Sequence, residues 1–195
     1  MPKDKFPTRE DYAKAAAELG VEVAAIRSFA AIEAPRGGFM ESGHPTVLFE
    51  RHLFHKYTNG MFATMAPDLS NPVAGGYGSY ADQPMRLRRA MSFDREAAQR
   101  ATSWGLFQIL GRWWKECGFD SLPAFVTAMH SDVQAHLRAF VTFFPKQNPN
   151  ALAALRDHAW VTVAEAWNGK DQAKHDYSGR LSALYDQLKA EESTS

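Results

Sequence analysis

The spacing of apolar residues along the chain predicts a protein built mainly from α-helices. Between Val21 and Glu33, the residues Ile26, Phe29, Ala30 and Glu33 recur at positions i, i+3, i+4 and i+7. Residues at this spacing share one face of a helix. The stripe is apolar until its last member, which is an acid. The pattern therefore puts a carboxyl group on the core-facing side of a helix.

The end of this helix gives that carboxyl group a particular chemistry. Pro35 disfavours the α conformation at Ala34, so the helix is expected to stop near Glu33. Partial burial and the negative end of the helix dipole both disfavour an ionised carboxylate, so we expect the pKa of Glu33 to be raised. A carboxylic acid that stays protonated near neutrality suits a general acid. The alternative is an ion pair with Arg36, or a side chain that frays into solvent.

The same periodicity, together with capping residues, predicts helices on both sides of this one. The C-terminal helix carries Leu181, Leu184, Tyr185 and Leu188 on one face, which we expect to pack on the core rather than on a membrane. The expected helices span residues 9–19, 21–33, 92–101, 103–116, a short one from 121, 132–144 ended by Pro145, 150–157, 160–167 and 180–191.

Two stretches break the helical pattern. Residues 39–49 carry a Ser-Gly turn signal followed by a β-branched apolar run, which predicts a small β-hairpin. Residues 58–84 hold turn-forming pairs in close succession, and a loop of this length is usually functional when it is ordered. The aromatic residues Tyr77 and Tyr80 indicate that this loop is ordered and covers another part of the molecule. The fold class is thus mainly α, with several helices and one small β-hairpin, and we expect residues 1–195 to form a single domain.

Composition narrows the classes of partner. The 22 basic and 22 acidic side chains cancel, whereas duplex-binding proteins usually carry a basic excess, so nucleic acid is disfavoured. The single cysteine, Cys117, allows no internal disulfide and fits a reducing compartment. The N-terminus lacks the apolar core of a secretion signal and no run is long enough to span a bilayer, so we expect synthesis in the cytoplasm and no stable membrane insertion.

A metal site is also disfavoured by the sequence. His44, His52 and His55 lie close together, but no Cys or carboxylate completes a set of ligands at the usual spacing. We therefore expect neither a metal nor another cofactor.

Three short motifs stand in an order that carries a family resemblance. Ile32-Glu33 comes first, then Ser103-Trp104-Gly105-Leu106-Phe107-Gln108, then Ala166-Trp167-Asn168-Gly169. Each is weak alone, but together they resemble the superfamily of goose-type lysozymes and soluble lytic transglycosylases. That superfamily shows a helix-terminal Glu, a Gly-Leu-x-Gln segment and an aromatic-Asn-Gly segment.

Longer stretches resemble a narrower family, the N-acetylmuramidase domains of bacteriophage endolysins. The resemblance covers about residues 20–188 and implies a lysozyme-like fold. One departure is Ala34, since the acid in this family is normally followed by Ser. The stretches that carry the resemblance are residues 37–39, 48–55, 68–72, 75–78 and 101–109.

The resemblance implies that Glu33 is the catalytic acid of a peptidoglycan hydrolase that cuts the β-1,4 bond between N-acetylmuramic acid and N-acetylglucosamine. Glycoside cleavage usually needs a second carboxylate, for which Glu50, Glu41 and Asp68 are candidates. Glu50 is the best placed, because it ends the strand expected to return towards Glu33. Its alternative role is a salt bridge with Arg51 or Arg27.

Six further residues are expected to bind substrate. Gln108 and Asn168 would hydrogen-bond acetamido and hydroxyl groups of the sugars, and Ser103 belongs to the same motif as Gln108. Tyr77, Trp104 and Trp167 offer apolar faces for sugar rings, although we expect one or two of them to be core residues.

Two rival functions stay open at this point. A lytic transglycosylase would use one acid, admit no attacking water and leave 1,6-anhydro ends. A non-catalytic peptidoglycan-binding module would keep the cleft and lack activity. In each case the partner is cell-wall peptidoglycan, reached after holin-type release or injection, and we expect a monomer.

Overall fold

Helices pack around a small antiparallel sheet. The computed structural model describes residues 4–147, 149–169, 173 and 176–193, with the side chain of Asn168 excepted. The helices are α1 (Arg9–Leu19), α2 (Val23–Glu33), α3 (Arg51–Tyr57), α4 (Gln83–Phe93), α5 (Arg95–Arg100), α6 (Leu122–Met129), α7 (Val133–Gln147), α8 (Pro149–Arg156), α9 (Trp160–Asn168) and α10 (Tyr177–Ser193). The strands are β1 (Val47–Phe49), β2 (Thr102–Trp104) and β3 (Ile109–Leu110), and 3₁₀ turns cover Tyr80–Asp82 and Gly111–Trp113. This mainly helical architecture with a small antiparallel sheet confirms the expected fold class.

Helix α2 forms the centre of the fold, as its apolar stripe predicts. Ile26, Phe29 and Ala30 are fully or almost fully buried. The helix ends at Glu33, and the amide of Ala34 donates the last bond to Ala30 O at 3.0 Å. The stripe therefore carries the Glu33 carboxyl to the edge of the core.

The sheet differs from the expected hairpin. β1 pairs with β2 and β2 with β3, both antiparallel, so that Val47 lies opposite Trp104 and Leu48 opposite Ser103. Residues 39–45 make only one bridge, between Phe39 and Pro45. Proline has no N–H with which to continue the ladder at this bridge. A small β element is confirmed, but within residues 39–49 the expected hairpin is reduced to this single antiparallel bridge, and β1 pairs with β2 instead.

The helix expected over residues 103–116 is also wrong. Residues 102–110 form the β2–β3 hairpin, and its turn has Gly105 at φ 71° and Gln108 at φ 47°. Both values lie in the left-handed region, which a right-handed helix excludes. A Cβ on Gly111 would lie 2.1 Å from Gln99 O, so the chain after the hairpin passes too close to α5 for any other residue.

Smaller differences from expectation concern helices α3, α4, α5 and α7. The segment expected as one helix over 92–101 is divided at Asp94, whose carboxylate accepts from Ala97 N at 2.9 Å and caps α5. Helices α3 and most of α4 were not predicted. Helix α7 passes through Pro145 for two more residues, since a proline in the last turn removes only one hydrogen bond.

Helix α10 packs against α2 and completes the core. Leu181 is fully buried and Tyr185 almost so, while Leu184 and Leu188 are partly buried against the core. The expectation that this apolar stripe faces the core is confirmed. In the part of the chain that the structure describes, no helix is long and apolar enough to cross a membrane.

Candidate active site

Two clefts meet at Glu33. The tryptophan cleft, of about 410 Å³, includes Ser103, Trp113 and Trp167 among its lining residues. The tyrosine cleft, of about 320 Å³, includes Arg36, Thr46 and Tyr80. Glu33, Leu48 and Gln108 line both. The two clefts therefore form one groove with the carboxyl group of Glu33 at its centre.

Two donors hold one oxygen of that carboxyl group. Trp167 Nε1 donates to Glu33 Oε1 at 2.9 Å, and the Tyr177 hydroxyl donates to the same atom at 2.6 Å. Burial raises the pKa of Glu33, because desolvation outweighs these two bonds, which favour the ionised form. The second oxygen, Oε2, has no hydrogen-bond partner among the described residues. The expected direction of the pKa shift agrees with this geometry, and its cause is burial.

The core fixes both donors in place. The Trp167 ring packs between Phe29, Phe140 and Phe144, with ring centroids 5.6–5.8 Å apart. Tyr177 is the first residue of α10 and is held by the docking of that helix on α2. Trp167 is thus a hydrogen-bond donor to the acid as well as a cleft residue.

Gln108 sits at the junction of the clefts because its loop is anchored to the core. Its Nε2 donates to Gly105 O at 2.7 Å and to Thr46 O at 3.3 Å. Leu106 N donates to His136 Nδ1 at 3.2 Å, so the other ring nitrogen, Nε2, must donate to Met129 O at 2.8 Å. This bonding fixes a neutral imidazole, which supports the loop from beneath.

Glu50 lies behind the wall of the tryptophan cleft. Its Oε1 accepts from Ser103 Oγ at 3.3 Å, and its Oε2 is 3.7 Å from His52 Nε2. Burial raises the pKa of Glu50, opposed by His52 and by the bond from Ser103. Ser103 lines the cleft and Glu50 does not. The salt bridges considered for Glu50 with Arg51 or Arg27 are not present among the described residues, where its ion-pair partner is His52.

The other candidate acids lie away from the clefts. Glu41 is exposed and pairs with Lys5, while Asp68 pairs with Arg89 at 2.7 Å. Neither lines the groove at Glu33. Within the described ranges, no group of three His, Cys, Asp or Glu side chains is arranged to hold a metal ion.

Two of the expected substrate-binding residues, Trp104 and Tyr77, do not line the groove. Trp104 is only 2% exposed and its Nε1 donates to Gln99 O, so it is a core residue with no face for a sugar. Tyr77 packs towards His52, 6.4 Å away between ring centroids, and only its neighbours Gly78 and Tyr80 line the tyrosine cleft. Asn168 ends α9, and its side chain lies outside the described part of the chain.

Sequence reasoning missed three residues of the site. Tyr177 bonds the acid, Tyr80 lines the tyrosine cleft and the half-buried Trp113 lines the tryptophan cleft. Tyr80 carried the only usable signal, since it belongs to the loop expected to cover something. Gln83 holds that loop by donating to Tyr77 O at 2.6 Å while accepting from Phe49 N at 3.1 Å.

Comparisons with known proteins agree with the geometry. The crystal structure of an endolysin from Burkholderia AP3 phage matches with a TM-score of 0.86 and 35% identity, over 97% of this chain and 74% of that one. The family profile described as N-acetylmuramidase matches residues 22–189. With the fold and the groove, these matches define a lysozyme-like, peptidoglycan-degrading enzyme. The chain belongs to the N-acetylmuramidase family, which confirms the resemblance seen in the sequence. Among curated proteins no significant match was found.

Proposed function

We propose that the protein is a glycoside hydrolase that cleaves the β-1,4 bond between N-acetylmuramic acid and N-acetylglucosamine, with Glu33 as the general acid. The observation that carries the proposal is the position of Glu33, a carboxyl group with a raised pKa at the point where the two clefts meet. A glycan strand that lies along the groove has sugars on both sides of the Glu33 carboxyl group. The glycosidic oxygen next to this group is then the atom that Glu33 protonates.

The hydrogen bonds at Glu33 support this role by selecting the oxygen that holds the proton. Oε1 already accepts from Trp167 and Tyr177, which leaves little room for a proton on it. The proton of the neutral acid therefore belongs on Oε2. From there it passes to the glycosidic oxygen as the bond to the leaving sugar breaks, and Glu33 becomes a carboxylate.

Glu50 is proposed as the second carboxylate, acting through Ser103. A water in the tryptophan cleft gives a proton to Ser103 Oγ while the serine proton moves to Glu50 Oε1, and the oxygen of that water bonds to the anomeric carbon. The raised pKa of Glu50 makes it a stronger base than an exposed carboxylate. Gln108 and Trp113 are proposed to contact the sugars, together with Trp167 and Asn168.

A lytic transglycosylase is the second candidate, and one observation favours it. Glu33 is the only carboxyl group among the described residues that line either cleft. An enzyme that excludes water and lets the 6-hydroxyl of muramic acid attack needs no second carboxylate. Mass spectrometry of digested murein separates the two reactions. Hydrolysis leaves reducing N-acetylmuramic ends, while transglycosylation leaves 1,6-anhydro ends that are lighter by one water.

The test of the acid is Glu33→Gln, which keeps the shape of the side chain and its acceptor oxygen. We expect activity on purified murein to fall by roughly 10²–10⁴-fold with the fold intact. Glu41→Gln is the matched control, because Glu41 is exposed and lies outside the groove. A Glu33 variant with a tenth of normal activity would show that the acid is a different residue. A wild-type protein that binds murein without cutting it would point to the binding module.

We also propose that the enzyme works as a monomer on peptidoglycan in the cell wall, reached by holin-type release or by injection. Among the described residues, Glu33 and the two donors that hold it belong to the same chain, which supports the monomer. Light scattering at working concentration measures the oligomeric state, and a dimer would contradict the proposal.

A further inference from the structure

The two halves of the groove differ in charge. Arg36 is the only Lys or Arg among the described residues that line either cleft, and it belongs to the tyrosine cleft. The tryptophan cleft has no cation at all in its described lining. Among the described lining residues, the tyrosine cleft alone therefore offers a positive charge to a ligand.

Arg36 is held by the ring of Tyr80. Its guanidinium carbon lies 4.9 Å from the ring centroid, within the range of a cation–π contact. The Thr46 hydroxyl donates to Gly37 O at 2.7 Å, so the Tyr80 hydroxyl, 3.2 Å away, must donate to Thr46 Oγ1. The ring that carries Arg36 is thus tied to the backbone next to it.

The backbone around Arg36 is equally fixed. Gly38 N donates to Lys5 O at 2.7 Å, and Gly37 adopts φ +92°. A Cβ on Gly37 would lie 2.6 Å from Lys5 Cβ, so the turn is packed directly against the N-terminal segment. Arg36 therefore projects from a fixed turn, and the contact of its guanidinium with the Tyr80 ring reduces the conformational entropy that it loses when it binds a ligand.

Within the described part of the chain, the charge of Arg36 has no anionic partner. No carboxylate of the described residues pairs with it, and it stacks on Tyr80 instead of bonding Glu33. Glu33 is the one acid among the described residues of this cleft, and burial favours its neutral form, which makes it a weak partner for a cation. A planar guanidinium in this state suits the two oxygens of a carboxylate.

The substrate supplies such a carboxylate at regular intervals. In peptidoglycan every second sugar is a muramic acid, and its lactyl group carries a peptide with carboxylate groups. Because muramic acid is every second sugar, a glycan strand bound across Glu33 places a peptide-bearing sugar near the tyrosine cleft in either orientation of the strand. We propose that Arg36, seated on Tyr80, binds a carboxylate of this peptide, so that the tyrosine cleft selects peptide-bearing strands. The proposal rests on the proposed function of the same groove.

The test compares two soluble substrates of equal strand length. One is a glycan strand that keeps its uncrosslinked stem peptides. In the other, an amidase has removed the peptides, and the lactyl carboxylates that this exposes have been capped as neutral methylamides. The quantity measured is the peptide preference, the ratio of kcat/KM on the first substrate to kcat/KM on the second. We expect the wild-type protein to prefer the peptide-bearing strand by about tenfold, the size of one charge-assisted hydrogen bond.

Arg36→Gln should bring the peptide preference close to one, with kcat/KM on stripped strands unchanged within about twofold. Arg36→Lys should restore part of the preference, because it keeps the charge and loses the planar fork. Arg138→Gln, which changes an exposed arginine outside the groove, should behave as wild type.

Two results would overturn the proposal: a wild-type protein without a peptide preference, and an Arg36→Gln variant that keeps it. The second result includes an equal loss of kcat/KM on both substrates, which would mean that Arg36 has a structural role. Glu33→Gln tests the proposed function separately, because it should abolish cleavage of both strands alike.

Discussion

Replacing Tyr177 by phenylalanine removes one of the two hydrogen-bond donors to the carboxyl group of Glu33. That hydroxyl donates to Glu33 Oε1 at 2.6 Å, and its bond lowers the pKa of Glu33 against the rise caused by burial. A bond to a charged group contributes about 1.5–3 kcal/mol and a bond to a neutral group about 0.5–1.5 kcal/mol. The ionised acid therefore loses roughly 1 kcal/mol more than the neutral acid does. The pKa of Glu33 should rise further, and the alkaline limb of the pH–rate profile should move to higher pH.

The assay is kcat/KM on murein across the acid and alkaline limbs, which reports the free enzyme. On the alkaline limb the rate follows the protonated fraction of Glu33. A difference of roughly 1 kcal/mol then makes the variant about fivefold more active than the wild type, each relative to its own plateau. Tyr185→Phe is the matched control, because its hydroxyl lies on the same helix and donates to Glu22 instead. An alkaline limb that stays in place, or that moves to lower pH, would refute the reasoning.

Three further predictions concern stability and the second carboxylate. Because burial raises the folded-state pKa of Glu33, ionisation costs stability as the pH rises from the unfolded value towards the folded one. Glu33→Gln should therefore melt at a higher temperature than wild type above that interval and at the same temperature below it. Leu181→Ala should lower the free energy of unfolding by about 2–5 kcal/mol, seen as a fall in Tm of roughly 4–20 °C, while Leu184→Ala should cost less. Ser103→Ala should lower kcat by about tenfold or more if Glu50 acts through the serine, and an unchanged kcat would make Glu50 a partner of His52 only.

The local part of the fold was readable from the sequence, and the non-local part was not. The stripe of Ile26, Phe29 and Ala30 predicts α2 because a helix buries residues at a fixed short spacing, and Pro35 marks its end. The partner of β1 lies more than fifty residues away, in residues 102–104. The local periodicity of apolar residues does not encode such a pairing. Ser103 suits a helix N-cap, but a serine can also occupy a strand, as it does here in β2.

The candidate site shows the same division. Glu33 could be found because burial and helix position are local properties, and Gln108 because its motif is a contiguous stretch. Tyr177 could not, since nothing in its neighbourhood marks a tyrosine whose hydroxyl reaches a residue 144 positions earlier. Trp104 and Trp167 are the same residue type in similar motifs. Only the packing of the folded chain shows that the Trp104 ring is buried and that the Trp167 ring reaches the groove.

The two donors to Glu33 come late in the sequence, which has a consequence for the synthesis of the enzyme. Trp167 and Tyr177 follow the acid by 134 and 144 residues, and α10 must dock on α2 before the hydroxyl can reach it. Domains are made from the N-terminus on the ribosome. A nascent chain, or a fragment that ends before α9, therefore carries Glu33 without the two hydrogen-bond donors that hold its Oε1. The bond from Tyr177 can form only after α10 has left the ribosome and docked on α2, so we expect products that are truncated before α9 to lack activity.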